Sequence, residues 1–398
     1  MRLSEEEQAM LAGEHGRAVQ KAMQILAALG TIYGAERMLP VSSVQIAGVS
    51  YDNLGEAGLQ FLTEMAEGGG KARVLTTLNP AGMDSENWQA LGISPEFAAK
   101  QQRVIDALSR MGVVATCTCT PYLVGNLPHF GEHIAWAESS AVCYANAVLG
   151  ARTNREGGPS ALAAALTGVT PDYGYHRDEN RLPDIGVQVM APLVENDDFG
   201  ALGKAIGEKL RASGKSVPYI TGVAHASLEN LKSFCASLAT YGGMALFHMP
   251  GITPEASALP PPVEYIPITH NELEAAHRSM YDADPEDVDF ISLGCPHLSL
   301  FEIARIARLL QGKRVTKEFW ITTARPVKLM ADRLGYTEII EAAGAKFAAD
   351  TCCVVAPIKG RFKAMATDSA KACYYAYAKN GFKTVLLPFD QVVQEALR

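Results

Sequence analysis

The sequence has no apolar run of the roughly 18–20 residues needed to cross a bilayer, and it has no basic excess, its formal net charge being -8. The first absence excludes a membrane-spanning helix. The second argues against nucleic acid, which would require a basic stripe for its phosphates. The opening residues, Met1-Arg2-Leu3-Ser4-Glu5-Glu6-Glu7, are acidic and hold no signal-peptide core, so a cytoplasmic location is expected. There is no G-x-G-x-x-G after a strand, no Walker A sequence and no G-x-S-x-G. The nine histidines match no zinc spacing, and the eight cysteines include no C-x-x-C pair.

What is present is an ordinary globular balance, 48% hydrophobic and 20% charged. A chain of 398 residues is long for one core and predicts two or three packed lobes. Eight cysteines in that length do not resemble a small disulfide scaffold. They divide into buried apolar thiols and candidate metal or nucleophile positions.

Ser4 and Glu7 form a capping-box pattern, and an Ala/Leu/Met-rich segment predicts one helix running on to Gly30. Residues 94–111 predict another, with Ser94 as cap and Phe97, Val104, Ile105, Leu108 and Met111 as its stripe. Strands are expected at 41–48, 72–78, 113–115, 186–190, 217–221, 245–249, 289–293, 319–323 and 384–387, with helices at 198–212, 228–241, 271–281 and 299–310. This alternation predicts an α/β fold with open, mostly parallel sheets, and ligands beyond the C-terminal strand ends. The Pro- and Ala-rich stretch 254–262 reads as an inter-lobe connection.

Three cysteines stand where a strand gives way to a loop: Cys119 before Thr120-Pro121, Cys295 in Gly294-Cys295-Pro296-His297, and Cys352 in Asp350-Thr351-Cys352. Three thiolates from separate loops can hold an iron–sulfur cluster and leave one iron open as a Lewis acid. The spacing itself is not diagnostic. Cys143, Cys235 and Cys373 read as buried fillers within helices, while Cys117 and Cys353 adjoin the candidates and are open as ligands. The helix-like stretch 136–149 carries Glu138, Ser139, Ser140 and Asn146 among apolar residues, a density that implies a polar network or a ligand. The loop after it offers Arg152, Thr153, Asn154 and Arg155, and guanidinium groups grip carboxylates through paired hydrogen bonds. In Thr367-Asp368-Ser369-Ala370-Lys371, Thr367 or Asp368 reads as a helix N-cap with Lys371 in the first turn.

The block CTCTPYLVGNLPHFGEHIAWAESSAVCYANAVLGARTNREGGPS (117–160), with SLGCPH (292–297), DTCCVVAP (350–357) and TDSAKACYY (367–375), resembles the large subunit or catalytic domain of aconitase X. The resemblance extends over residues 1–398. It implies three related α/β lobes, similar to the large portion of aconitase, packed around a central cluster site. It also implies cluster ligation by Cys119, Cys295 and Cys352, the D-T-C pattern favouring Cys352 over Cys353. Ordinary aconitase carries a C-x-x-C pair, and its absence favours the aconitase X branch.

On this reading Ser139, Ser140 and Lys371 are the candidate catalytic groups, and Arg152, Asn154, Arg155 and Ser369 would orient a substrate carboxylate. The small swivelling domain of the family has no room in this chain, so a separate small subunit is expected, supplying a serine base. The expected reaction is removal of water from a small hydroxy acid. Cis-3-hydroxy-L-proline is the first expectation, because 20% charge with eight cysteines and 13 methionines does not suggest the charge-rich hyperthermophiles. Mevalonate 5-phosphate is the alternative. Two readings of other classes remain: a cluster-free α/β binding protein, and a hydrolase using Cys119 or Cys295 with His297.

Overall fold

Ser4 opens the first helix by the reciprocal capping its sequence predicts: its amide donates to Glu7 Oε2 at 2.8 Å and its hydroxyl accepts from Glu7 N at 3.3 Å. The helix then stops at Ala12. Gly13 adopts a left-handed conformation and the chain restarts as Arg17–Ile32, so the single expected helix is two. The computed structural model describes residues 1–398.

Three separate parallel sheets follow. The first has the order Leu75–Leu78, Ser43–Ile46, Ala135–Trp136; the second Pro218–Thr221, Ile185–Val189, Tyr265–Ile268. The third has five strands, Lys346–Ala349, Glu318–Thr323, Val288–Leu298, Ala364–Thr367 and Lys383–Leu386. Each sheet is covered by helices, as parallel strands buried on both faces require. The fold is therefore α/β with mostly parallel sheets in three lobes, as expected.

Two expected strands are reduced to single bridges, Thr77 with Val114 and Tyr219 with His248. The strand Ala364–Thr367 was hidden from a pattern search because all four residues are buried and show no alternation. The segment 254–262 leads into Tyr265–Ile268, which pairs with Ile185–Val189 of the second sheet. It therefore connects elements of one lobe, and the passage to the third lobe falls after the helix His270–Arg278.

The second lobe is built on the pair Asn196–Arg211 and Leu228–Gly242. Their backbones touch at glycine: a Cβ on Gly207 would stand 2.6 Å from Gly242 N. Phe199, Phe234 and Phe247 fill the core around them at no more than 1% exposure. Each such burial contributes about 1.5–3 kcal/mol. The helix Ser139–Ala147 of the first lobe packs on Leu228–Gly242, so the polar start of that helix is carried on a rigid inter-lobe seam. No helix is long and apolar enough to cross a membrane.

Candidate active site between the first and third lobes

Each candidate cysteine is introduced by a residue in the left-handed region. Cys117 (φ 43°) lies two before Cys119, Gly294 (φ 110°) one before Cys295, and Asp350 (φ 65°) two before Cys352. At Gly294 no other residue fits, since a Cβ there would stand 2.1 Å from Thr322 O. The strand Val288–Leu298 does not end at Leu293 as expected. It continues with a register shift, Leu293 pairing with Ile321 and Leu298 with Thr323, so that Gly294 to His297 bulge out of the ladder.

The three loops meet. The backbone N–H of His297 donates to Cys119 Sγ at 3.2 Å. The His297 ring lies between Thr118 Oγ1 (3.0 Å from Nδ1) and the Thr351 carbonyl (3.0 Å from Nε2). Nε2 must carry the proton for that carbonyl, so Nδ1 accepts from Thr118. Burial lowers the His297 pKa to about 4. Both ring nitrogens are thus occupied, which removes the cysteine–histidine hydrolase expectation.

Cys119 and Cys352 are buried, and Cys295 is the most accessible of the three. Burial raises all three thiol pKa values. At Cys119 the nearby Glu138 and Cys352 raise it further, while Lys371 lowers the values of all three thiols. The amides of Val354 and Val355 favour the Cys352 thiolate, and the Ser369 hydroxyl favours that of Cys295. Cys353 instead faces Ser292 and is pushed up to about 12 by burial. Cys143, Cys235 and Cys373 are buried within helices.

Glu138 is the group that gathers the rest. Its Oε1 lies 2.5 Å from Lys371 Nζ, and its Oε2 accepts from Ser140 Oγ and Ala141 N, each at 2.6 Å. Burial would raise its pKa, yet the Lys371 ammonium and these donors hold it below the usual carboxylate value. The pair is therefore ionised. Ser139 is half-buried and its hydroxyl makes no hydrogen bond within the chain. The N-cap of Ala370–Tyr375 is Ser369, accepting from Ala372 N at 3.1 Å, rather than Thr367 or Asp368. Asp368 turns towards Asn196 (3.4 Å), and burial raises its pKa to about 7.

The basic loop does not join this group. Arg152 donates to the His176 carbonyl (3.1 Å) and to Asp178 (2.5 Å). Asn154 holds Tyr173 O (3.0 Å) and Tyr175 N (2.9 Å), and Arg155 donates to Gly243 O (3.0 Å). These side chains brace neighbouring loops and make no hydrogen bond to the Lys371–Glu138 group. Asn146 likewise ties Thr153 to Ala245. Sequence reasoning missed Gln45, Asn79 and Thr351. Each keeps a buried oxygen without a partner, and Gln45 Nε2 also donates to the Thr118 carbonyl at 2.9 Å. Unpartnered buried oxygens beside two of the cysteine loops are a costly arrangement unless a ligand answers them.

Three thiols are the donor type that holds an iron–sulfur cluster, and no trio of cysteine sulfurs lies close enough together to share one ion. The one trio of candidate ligands with atoms within 4.8 Å of one another is Asp197, Asp198 and His277, not the cysteines.

Fold and site together define a three-lobed α/β protein whose reactive groups converge on the C-terminal strand ends of its first and third sheets. Sequence models of the aconitase X first, second and third domains match residues 1–179, 183–278 and 288–398. The phosphomevalonate dehydratase large subunit of Methanothermobacter thermautotrophicus is 47% identical, over 96% of each chain. That of Thermococcus kodakarensis is 47% identical over the whole of both. The cis-3-hydroxy-L-proline dehydratase of Hypocrea jecorina is 35% identical over 95% of this chain, which spans 66% of that protein. A holo-form crystal structure of Thermococcus kodakaraensis aconitase X superposes with a TM-score of 0.93 at 46% identity, covering all of both chains. The chain belongs to the aconitase X family and is a hydro-lyase, a dehydratase, of that type.

Proposed function

We propose that this chain is the cluster-carrying large subunit of a mevalonate 5-phosphate dehydratase. The observation that carries the centre of this reading is the convergence of Cys119, Cys295 and Cys352, from three separate loops, beside the ionised Lys371–Glu138 pair. Inert core cysteines have no reason to meet in this way. The substrate rests on relatives: those named for phosphomevalonate match at 35–47% identity over at least 95% of their own length. Those named for hydroxyproline match at 34–35% and are half as long again. The composition that favours hydroxyproline reports habitat and not substrate.

The reaction is loss of water across two adjacent carbons. A base takes the proton beside the carboxylate, the new double bond forms, and the hydroxyl on the neighbouring carbon leaves as hydroxide, which with the abstracted proton makes one water. When bound, the cluster supplies a Lewis acid that makes hydroxide a better leaving group. Cys119, Cys295 and Cys352 would hold it. Lys371 supplies a fixed positive charge towards the thiolates and an anionic substrate. Glu138 keeps that ammonium in place, and Ser139 offers a free hydroxyl at the rim. The unpartnered oxygens of Gln45, Asn79 and Thr351 would accept hydrogen bonds from a bound ligand. The base itself is assigned to a separate small subunit, in keeping with the "large subunit" names of the relatives.

The test is turnover by the anaerobically reconstituted chain, alone and with its small subunit. The complex is expected to consume mevalonate 5-phosphate at least tenfold faster than cis-3-hydroxy-L-proline, a difference of about 1.4 kcal/mol in barrier. The isolated chain is expected to consume neither. Preference for hydroxyproline, or full activity without a partner, would overturn the reading.

A further inference from the structure

Arg325 opens the helix Arg325–Arg333 of the third lobe, where no side chain caps the N-terminus. Its guanidinium is shared between lobes. Nη2 donates to Asp84 Oδ1 of the first lobe and to Asp350 Oδ2 of the third, each at 2.6 Å, and Nε reaches the same Asp350 oxygen at 3.1 Å. Nη1 holds Glu86 at 2.9 Å. Asp84 and Asp350 are almost fully buried, at 1% and 5% side-chain exposure.

The backbones are stitched at the same place. Asp84 Oδ2 accepts from Ala349 N at 2.9 Å, and Ala81 N donates to the Asp350 carbonyl at 2.8 Å. Asp350 holds a left-handed φ of 65°, a conformation that side chains other than glycine adopt rarely, aspartate being among the more tolerant. That turn reverses the chain just before Cys352. Two buried carboxylates on facing loops repel unless a cation lies between them, and Arg325 is that cation. Its planar fork reaches both at once, which a lysine point charge does not reproduce.

We propose that Arg325 is a positioning residue: by clamping Asp84 to Asp350 it fixes the turn that presents Cys352 of the third lobe to Cys119 of the first. The clamp touches neither substrate nor cluster. It acts through the Cys352 loop, and it rests on the cluster reading above.

Wild type, Arg325→Gln, Arg325→Lys and Asp350→Asn are to be reconstituted anaerobically as full chains. Iron and sulfide per chain, the visible and reduced-state electron paramagnetic resonance spectra, and the melting midpoint of the iron-free chain are then measured. Arg325→Gln is expected to retain less than a third of the wild-type iron, and Arg325→Lys an intermediate amount with an altered spectrum. Asp350→Asn keeps the Arg325–Asp84 pair, so it decides the matter if Arg325→Gln fails to fold. It too is expected to lose iron with little change in melting. Wild-type iron content and spectrum in a folded Arg325→Gln, or in Asp350→Asn, would overturn the clamp alone. Absence of iron from the wild type would overturn the cluster reading and the clamp with it.

Discussion

His297 and Cys119 stand on different lobes, and the backbone N–H of His297 donates to the Cys119 sulfur at 3.2 Å. The same residue's ring reaches Thr118, next to Cys119, and Thr351, next to Cys352, while its own segment carries Cys295. One buried residue therefore ties all three cysteine loops together. Replacing it by alanine leaves a cavity and two groups without their partner. His297→Ala is expected to cost about 2–4 kcal/mol in urea unfolding of the iron-free chain, and to lower iron uptake. An unfolding curve that superposes on wild type would count against this role.

Lys371 is the counter-charge of a buried carboxylate. Removing one partner of a buried pair typically costs about 3–5 kcal/mol, because the other charge is left uncompensated. Lys371→Met is therefore expected to destabilise strongly at neutral pH and to abolish turnover. The sign of the pH effect follows from Glu138. Its folded pKa lies below the ordinary value, so its contribution is present above about pH 4.5 and is lost as pH falls through the lower folded value. In Lys371→Met burial dominates and the folded pKa rises, so stability should instead fall as pH rises above about 4.5. Parallel unfolding at pH 4 and pH 7 separates the two slopes.

Asp368 titrates in the opposite sense from Glu138. Burial, with Glu302 and Asp197 nearby, raises its pKa from 3.8 to about 7. A raised carboxyl favours the fold below its unfolded value and loses that contribution as pH climbs through the folded one. Wild type should therefore lose a few kcal/mol from this group between about pH 4 and pH 7, and Asp368→Asn should flatten that slope. Identical pH profiles for the two proteins would show that Asp368 does not titrate in this window.

Arg155 offers a test of whether the basic loop meets the substrate. It donates to Gly243 O and is otherwise exposed. Arg155→Ala should cost less than about 1 kcal/mol and leave KM within about twofold of wild type. A tenfold rise in KM at unchanged kcat would return this arginine to the substrate.

Much of the fold was legible because its signals are local. The Ser94 cap, the stripe that follows it and the helix expected from residue 299 appear where the sequence places them. The strand Ala364–Thr367 was not legible, because a strand buried on both faces has no alternation to read. The site divides in the same way. Cysteines beside proline, glycine and aspartate mark loop positions, and a polar helix start among alanines marks Glu138 and Ser140. What no local pattern reveals is which partner each polar group finds. Arg152 and Asn154 look like anion ligands in sequence, yet residues 173–178 fold back on them, accepting from Arg152 and Asn154 Nδ2 and donating to Asn154 Oδ1. Gln45 and Asn79 look like ordinary strand and loop residues, and only their unpartnered oxygens single them out.

If Cys119, Cys295 and Cys352 form the dehydratase centre, the neighbouring thiols Cys352 and Cys353 must behave differently. Cys352→Ser and Cys353→Ser are to be reconstituted side by side with the small subunit, with iron per chain and mevalonate 5-phosphate turnover measured on the same samples. Cys353→Ser should keep wild-type iron and turnover, because Cys353 faces Ser292 within the core, whereas Cys352→Ser should lose both. Equal iron and equal activity in the two variants, or loss confined to Cys353→Ser, would contradict the assignment.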